Sequence, residues 1–374
     1  MAKKFLYQEI RSQIIRRIQT GEYPEGSRIP NTRELADEFC TTPITISKAI
    51  QQLVQEGIIE RAPRRGSFVS PMRLWDSRRK PDVITRMVGA ILFDDTLFWA
   101  KAIGGIEDAL NEDGFHMVLC NDGGSFQKAR QYVDDLCHKG IDGFIFAPIG
   151  CPTKEEYEAR NGELIRHIES RDVPVLLFHR YVESTKCSVI TADNYGDTRD
   201  MINEFLKTGI RHPVCISHYH TSVAREREQG FCDALRERGF EDPESRVFNL
   251  HPTHQRIGLE NQEEIRRILL ADEDIDGIFG IYLDVIDMIR RIAKNEAKLA
   301  SRLFRFASYE FLDPDMSEES VDTSVIQPIY DMGNLAGQMI LRKIDDWRHI
   351  SMRFVVPSRL KVRSDQGIVH TPIE

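Results

Sequence analysis

Residues 31–69 read NTRELADEFCTTPITISKAIQQLVQEGIIERAPRRGSFV, and this stretch decides the fold of the N-terminal part of the chain. Asn31, with Glu34 three residues later, matches the pattern of a capping box and predicts a helix that runs through Phe39. Thr42 is the predicted cap of the next helix, whose apolar positions recur at helical spacing: Ile46, Ile50, Leu53 and Val54. Two short alternating strands, residues 58–61 and 67–70, follow around a Pro-Arg-Arg-Gly hairpin tip.

An amphipathic helix over residues 6–18 precedes this stretch and ends before Gly21. Three helices and a two-stranded wing in this order predict a winged helix-turn-helix domain over residues 1–70, called the head below. A helix fits the major groove of DNA, and arginines at a hairpin tip can enter the minor groove. The alternative is a small helical domain with a solvated basic surface.

The charge of the chain is divided between its two parts. Residues 1–80 contain 15 Lys and Arg against 9 Asp and Glu, whereas residues 81–374 contain 35 against 50. The net charge of −9 therefore conceals a basic head on an acidic body. A basic head is typical of a domain that contacts nucleic acid.

Length and composition predict a second, larger domain. A chain of 374 residues is too long for one ordinary domain, and the basic, apolar-poor residues 71–84 are interpreted as a linker. No stretch has the length of a membrane-spanning helix, so no membrane partner is expected. Seven cysteines without a Cys-x-x-Cys pair favour a reduced, cytoplasmic compartment.

From residue 85 onward, the body, short apolar runs alternate with helical patterns. The first series of predicted strands covers residues 88–93, 116–120, 143–147 and 175–178; the second covers residues 214–217, 246–250, 277–280 and 304–308. Strand-helix alternation predicts doubly wound parallel sheets, whose ligands bind beyond the carboxyl ends of the strands. Two such series predict a two-lobed α/β body with a cleft between the lobes.

The head closely resembles the winged-helix domain of GntR-family bacterial regulators. The resemblance is carried by residues 21–30 (GEYPEGSRIP), 33–36 (RELA) and 56–61 (EGIIER). It implies the operator-contacting positions Arg33, Thr42, Thr45, Ser47, Lys48 and Gly66. Ser47 and Pro43 stand where many members carry Arg, so we expect Lys48 and the tip residues Arg64 and Arg65 to provide more of the phosphate contacts.

The body looks like the LacI/GalR effector domain, which is similar to periplasmic sugar-binding proteins. The fragments that carry the resemblance are residues 191–196 (TADNYG), 227–231 (REQGF), 308–310 (SYE), 325–328 (VIQP) and 357–363 (PSRLKVR). The combination of both domains is similar to the architecture of bacterial arabinose repressors. It implies lobe crossings near Asp193, Gln327 and Trp347. The expected N-lobe is residues 85–192 and 328–347, and the expected C-lobe is residues 193–327 and 348–368.

The same resemblance implies an effector site in the cleft. The arginine that binds the effector in that family corresponds to Arg227. Its planar guanidinium can donate two hydrogen bonds to vicinal hydroxyls or to a carboxylate. Glu310 stands where Asp is usual, His179 stands where Asp is common, and Tyr282 to Asp284 replace an Asn-Asp pair. The alternative for Arg227 is a solvated helical face within the charged run of residues 225–228.

Asp94, Phe98 and Trp99 follow the first strand of the body, where aromatic rings can stack on the C–H face of a sugar. Ordinary packing at the start of a helix, and a polar turn at Asp94, are the alternatives. His218 and His220 can share a metal, but no third ligand is evident, so no metal site is expected. The alternative is that both line the cleft at the end of a strand. No phosphate-binding glycine motif occurs, and no cofactor is expected.

These features predict a homodimeric transcription regulator, most of all a repressor, that binds a pseudo-palindromic DNA operator. A small molecule controls this binding, and a monosaccharide is the best guess for it. Two alternatives stay open. An α/β enzyme that carries a DNA-binding head would need a placed acid-base or nucleophile set, and no catalytic residues are predicted. An architectural DNA binder would have an empty or side-chain-filled cleft.

Overall fold

The computed structural model describes residues 6–19, 21–55, 58–62, 66–70, 84–92, 97–218, 220–250, 259–310, 321–345, 351–364 and 367–372. The chain divides near residue 85 into two compact units, which correspond to the head and the body. Along the described segments, no helix is both long and apolar enough to cross a lipid bilayer.

The head has the predicted winged helix-turn-helix fold. Its helices are α1 Leu6–Gln19, α2 Thr32–Glu38 and α3 Pro43–Gln55, and its wing strands are β1 Ile59–Ala62 and β2 Gly66–Val69. The strands pair antiparallel, with Ile59 opposite Val69. Ile14, Leu35, Ile46 and Leu53 are fully buried and form the centre of the core. The spacing of apolar residues thus buries one face of each helix and leaves the other exposed.

Both predicted caps are present in the head. The side-chain oxygen of Asn31 accepts hydrogen bonds from the backbone N–H groups of Arg33 (2.9 Å) and Glu34 (3.1 Å). The Glu34 carboxylate in turn accepts from the backbone N–H of Asn31 at 2.7 Å, which completes the capping box. At the next helix, the Thr42 hydroxyl accepts from the N–H of Thr45 at 3.3 Å. These local bonds fix where α2 and α3 begin.

In the described residues, the N-lobe of the body contains a six-stranded parallel sheet. Its strands are β3 Met87–Leu92, β4 His116–Asn121, β5 Gly143–Phe146, β6 Val175–Phe178, β7 Ser188–Thr191 and β13 Arg353–Val355, in the order β13-β7-β6-β5-β3-β4. Its helices are α4 Leu97–Glu112, α5 Phe126–His138, α6 Lys154–Glu169 and α12 Ile329–Asp345. Helices α4 and α12 pack on one face of the sheet, and α5 and α6 pack on the other.

Two glycines let α4 and α12 approach closely. A Cβ added at Gly105 would lie 2.1 Å from the carbonyl oxygen of Tyr330, and one at Gly333 would lie 2.2 Å from the carbonyl oxygen of Ala102. Any side chain at either position would therefore push the helices apart. Since α12 enters the N-lobe only after residue 326, this contact ties a late segment of the chain to an early one.

The C-lobe sheet is parallel at its centre and antiparallel at one edge. Its strands are β8 Pro213–Ser217, β9 Val247–Asn249, β10 Gly277–Gly280, β11 Arg305–Glu310, β12 Thr323–Ile326, β14 Arg359–Ser364 and β15 Gly367–Pro372, in the order β15-β14-β12-β11-β10-β8-β9. Its helices are α7 Asn194–Lys207, α8 Ser222–Glu237, α9 Leu259–Ala271, α10 Leu283–Asn295 and α11 Ala297–Ala300. Among the described strand pairs of this sheet, β12–β14 and β14–β15 are antiparallel, and the other pairs are parallel.

The chain crosses between the lobes after β7 and again after β12. The third crossing differs from the prediction near Trp347, a residue outside the described ranges. Strand β13 still belongs to the N-lobe, because Arg353 to Val355 pair in parallel with Val189 to Thr191. The crossing therefore follows Val355 and precedes β14. Assigning residues 348–368 to the C-lobe was wrong for β13, and β15 extends that lobe to Pro372.

Candidate functional site

The predicted DNA-contacting residues lie on α2, in the first half of α3 and in the wing. Arg33, Thr42, Pro43 and Lys48 are exposed, whereas Thr45 and Ser47 are half-buried. Gly66 begins β2 with a φ of 113°, and a Cβ there would meet Nε of Arg28 at 2.7 Å. The backbone geometry thus favours glycine at this position, whereas the flexible Arg28 side chain can move to relieve the contact. Arg64 and Arg65 lie outside the described residues.

Polar groups on α3 already have partners within the head. The hydroxyls of Thr42 and Thr45 are hydrogen-bonded to each other at 2.9 Å. Nζ of Lys48 lies 4.9 Å from the centroid of the Tyr7 ring on α1, a cation–π contact. The Lys48 ammonium is therefore held against α1.

Arg227 is the central residue of the candidate effector site. It lies on α8 with 1 % of its surface exposed, although it belongs to a run of charged residues. Its Nε donates to Oδ1 of Asn194 (3.0 Å), Nη1 to the carbonyl oxygen of Ile281 (2.7 Å), and Nη2 to Oε1 of Gln327 (3.3 Å). Asn194 follows the first lobe crossing and Gln327 lies at the second. Arg227 is therefore bonded to two of the three connections between the lobes.

Aromatic rings enclose the Arg227 guanidinium. Its Cζ lies 3.3 Å from the centroid of the Tyr309 ring and 5.3 Å from that of Tyr282. The Tyr309 hydroxyl donates to the carbonyl oxygen of Asn194 at 3.1 Å and is bonded to the Thr198 hydroxyl. Stacking and hydrogen bonds fix the plane of the guanidinium, so its position is preorganised.

On the N-lobe side, His179 is a buried residue on which the charge of Arg227 acts. Its backbone has a φ of 65°, and its ring lies 5.0 Å from Phe98 and 6.1 Å from Trp99. Burial and the charges of Arg180 and Arg227 lower the pKa of His179 well below its ordinary value. The imidazole is therefore neutral near pH 7, and its Nδ1 has no hydrogen-bond partner among the described residues.

Phe98 and Trp99 take different places. Trp99 is 3 % exposed and packs in the core against Phe178, with ring centroids 6.0 Å apart. Phe98 is half-buried beside His179. Trp99 thus follows the packing interpretation and supports Phe98. Asp94 lies outside the described residues. Glu310 ends β11, but its side chain is likewise outside them.

The C-lobe places Tyr282 and Asp284 at the start of α10. The Tyr282 hydroxyl is 3.3 Å from the Thr221 hydroxyl, and its ring meets His218 edge to face at 5.3 Å. Nε2 of His218 is 3.8 Å from a carboxylate oxygen of Asp284. Burial lowers the pKa of His218, and the Asp284 charge opposes this shift. His218 therefore contacts Tyr282 and Asp284 at the end of β8, in keeping with the alternative that it lines the cleft.

Asp122 and Arg180 are buried residues that the sequence prediction missed. Asp122 follows β4, and burial raises its pKa to about 6 against the opposing charge of Arg180. Arg180 follows β6 and donates from Nη1 to the carbonyl oxygen of Pro148 at 3.0 Å. Both lie where parallel strands end, which is the signal that would have found them.

Several contacts join the lobes directly, and we call them the interlobe latch. Cys151 and His220 exchange backbone hydrogen bonds of 3.0 and 3.2 Å. The backbone N–H of Tyr181 donates to Oγ of Ser222 (2.9 Å), and its hydroxyl donates to Glu226 (2.9 Å). The remaining members are the ion pairs Arg353–Glu226 (2.6 Å), Arg225–Glu183 (2.9 Å) and Arg225–Glu158 (3.6 Å). The two lobes are therefore in direct contact through these residues.

Comparison with known protein families finds a match for two parts of the chain. Residues 6–69 match the profile of bacterial regulatory proteins of the gntR family. Residues 85–263 match the profile of periplasmic binding proteins and the sugar binding domain of the LacI family.

Two curated relatives come from Halalkalibacterium halodurans. Its ribose operon repressor is 24 % identical over 282 residues, which cover 74 % of this chain and 78 % of the relative. Its arabinose metabolism transcriptional repressor is 22 % identical over 355 residues, which cover 92 % of this chain and 89 % of the relative. The second alignment therefore spans head and body together.

Solved structures share the fold. A transcriptional regulator CelR–cellobiose complex aligns with a TM-score of 0.62 at 20 % identity over 86 % of this chain and 90 % of that one. A LacI family regulator from Enterococcus faecium with bound ribose gives 0.59 at 19 % identity, over 73 % of this chain and 96 % of that one. The chain thus combines a gntR-type winged-helix domain with a LacI-type, periplasmic-binding-protein-like body.

Proposed function

We propose that this protein is a sequence-specific DNA-binding transcription repressor whose operator affinity is set by a small carbohydrate bound between the lobes. The observation that carries the proposal is the bonding of Arg227 to Asn194 and Gln327, one residue at each of two lobe crossings. A ligand that engages Arg227 acts on the connections about which the lobes move. An effector shifts the equilibrium between two lobe arrangements only if it binds one of them more tightly. A ligand held by Arg227 would do so, because the bonds of Arg227 to the two crossings would differ between the arrangements.

Gln327 is the contact that we expect a ligand to replace. Its bond to Arg227, at 3.3 Å, is the longest of the three given above. Nε2 of Gln327 is buried without a hydrogen-bond partner in the described structure. A ligand hydroxyl placed between the two residues would accept a hydrogen bond from the Arg227 guanidinium. The same hydroxyl would form a hydrogen bond with the Gln327 amide. Binding would then be transmitted to the second crossing through Gln327.

The ligand is proposed to be a neutral monosaccharide, such as a pentose. Relatives named for ribose and arabinose operons, and a ribose-bound structure of the same fold, support this class. The cluster offers hydrogen-bond donors and acceptors beside the half-buried ring of Phe98, which suits hydroxyls on one side and C–H groups on the other. The proposed contact residues are Asp94, Phe98, His179, Arg227, Tyr282, Asp284 and Glu310, with Trp99 supporting Phe98.

The DNA interface is proposed to comprise α3 and the wing. Arg33, Lys48, Arg64 and Arg65 would contact phosphates or the minor groove, and the start of α3 would face the bases: Thr42, Pro43, Thr45 and Ser47. Gly66 would allow the wing backbone to approach the duplex. A homodimer would place two heads on the half-sites of a pseudo-palindromic operator.

The test is an operator selection followed by fluorescence anisotropy at moderate salt. We expect sequence-preferring binding whose affinity falls as salt rises, because phosphate contacts release counterions. A thermal-shift screen of sugars, purines and sugar acids then identifies the effector, which should change operator affinity about 5- to 150-fold. DNA binding without sequence preference would contradict the proposal.

The proposal assigns no catalytic role to the effector site, in keeping with relatives that are transcription repressors. Calorimetric titration of the identified ligand tests this directly. We expect saturating heats and unchanged ligand at the end of the titration. Continuous heat release with a chemically altered ligand would favour an enzyme instead.

A further inference from the structure

Ile44 is the most exposed large apolar side chain in the described part of the head. It lies in the first turn of α3 with 81 % of its surface exposed. The core side of the same helix is made by Ile46, Ile50 and Leu53, all buried. Ile44 is therefore on the opposite side of the helix and adds nothing to the packing of the head.

The polar groups around Ile44 are engaged within the head. The Thr42 and Thr45 hydroxyls bond to each other, and Thr42 also accepts from the backbone of Thr45 as a helix cap. The Lys48 ammonium lies on the Tyr7 ring. The two threonine hydroxyls and the Lys48 ammonium thus already have partners on the head, whereas the side chain of Ile44 presents an exposed apolar surface.

The apolar group that a base pair presents in the major groove is the C5-methyl of thymine. We propose that Ile44 reads a thymine methyl in each operator half-site and so determines specificity at that base pair. This inference rests on the proposed DNA-binding function. It differs from the sequence prediction, which assigned recognition to the polar residues of α3 and did not include Ile44.

Replacing single thymines by deoxyuridine tests this, because the exchange removes one methyl group and leaves the hydrogen-bonding edge unchanged. We expect the selected operator to lose about fourfold in affinity when one thymine of a half-site is exchanged, the value for one buried methyl-sized group. In Ile44→Ala, the same exchange should change affinity by less than about 1.5-fold, because the partner of the methyl is gone.

Two control variants make the result specific. Ser47→Ala, on the same helix, should keep the sensitivity to deoxyuridine even where its overall affinity is lower. Leu303→Ala removes a side chain that is 93 % exposed in the body and should leave operator affinity unchanged. Circular dichroism of Ile44→Ala should show wild-type helix content.

The inference is overturned if Ile44→Ala keeps the wild-type sensitivity at every thymine, or if no exchange affects the wild-type protein. Loss of sequence-preferring binding in the wild-type protein itself is a different result. It would contradict the proposed function before any thymine is exchanged.

Discussion

The head exposes its candidate functional side chains, whereas the body buries them. Arg33 and Lys48 are exposed on the head, but Arg227 and His179 in the body retain only 1 % and 3 % of their surface. A duplex is a large partner that meets a convex surface, so reading residues must project into solvent. A small ligand is enclosed, so its contacts are set into the interior. The exposure of the candidate side chains in each region therefore matches the size of the proposed partner.

The two regions also differ in how their sites are assembled. The caps of the head join residues two or three positions apart, as at Asn31 and Thr42. Arg227 instead joins Asn194, Ile281 and Gln327, and the last of these is 100 positions away. Substitutions of exposed residues on α3 should therefore change DNA affinity with little loss of stability. Substitutions of the buried effector-site residues should change both ligand affinity and stability.

The largest effect is expected for Arg227→Ala. The substitution leaves three acceptors without their donor and removes the cation over Tyr309. A loss of about 2–5 kcal/mol in the free energy of unfolding is expected, because buried polar groups are left unsatisfied. Thermal shift should also show no stabilisation by the effector. Denaturant unfolding and ligand titration measure the two losses separately.

Arg236→Ala is the matched control for this prediction. Arg236 lies on the same helix, is largely exposed and pairs at the surface with Asp233 and Glu244. Its removal should cost less than about 1 kcal/mol and should leave the effector response intact. Equal effects of both substitutions would show that the burial of Arg227 contributes neither to the free energy of unfolding nor to the effector response.

A smaller effect is expected at the interlobe latch. Glu226→Gln removes the charge that accepts from Tyr181 and pairs with Arg353 across the lobes. If the ligand binds the closed lobes, a weakening of closure by about 1 kcal/mol raises the effector Kd about fivefold. Glu237→Gln is the control, because that residue pairs with Asn203 and Arg199 within the C-lobe. An unchanged Kd in Glu226→Gln would exclude the latch from ligand binding.

The sequence predicted the head almost completely because its signals are local. The capping box at Asn31, the cap at Thr42 and the strands beside Gly66 follow from residues only a few positions apart. The helical spacing places Ile44 outside the buried stripe of α3. Spacing does not show, however, which hydroxyls near Ile44 are hydrogen-bonded to each other. The bond between Thr42 and Thr45 became evident only in the structure.

In the body, alternation predicted the strands and helices, but not the path of the chain between lobes. Strand β13 has three residues and no apolar alternation that distinguishes it from a connection. Its pairing with β7 is set by contacts about 160 positions apart, which no local pattern encodes. For the same reason Arg227 was identified only through resemblance. Asp122 and Arg180 were missed although both follow the ends of predicted strands.

A pH-dependent effect is expected from Asp197 on α7. Burial raises its pKa to about 7, so between about pH 4 and 7 the folded protein keeps a proton that the unfolded chain releases. The contribution of Asp197 to stability therefore falls as the pH rises through this window. The isosteric Asp197→Asn cannot ionise, and its Tm should gain roughly 2–4 °C on wild type between pH 5 and pH 8.

Asp274, an exposed residue of the C-lobe that is not among the charges acting on Asp197, provides the control, since Asp274→Asn should show a constant difference in Tm across this range. A constant difference in Asp197→Asn as well would mean that Asp197 is ionised throughout. The comparison would then change, because the body would hold a buried charge near the first crossing at neutral pH.

The smallest effect is expected for Asn31→Ala in the head. The substitution removes the acceptor for the backbone N–H groups of Arg33 and Glu34, and loss of such a cap costs about 1 kcal/mol. Hydrogen exchange should speed up about fivefold at these two amides while the peptides of β10 and α8 keep the wild-type rate. Gln13→Ala, at an exposed position of α1, should leave both sets unchanged. Faster exchange in β10 would show that the cap stabilises more than its own helix, and the contrast between local and distant assembly would then fail for the head.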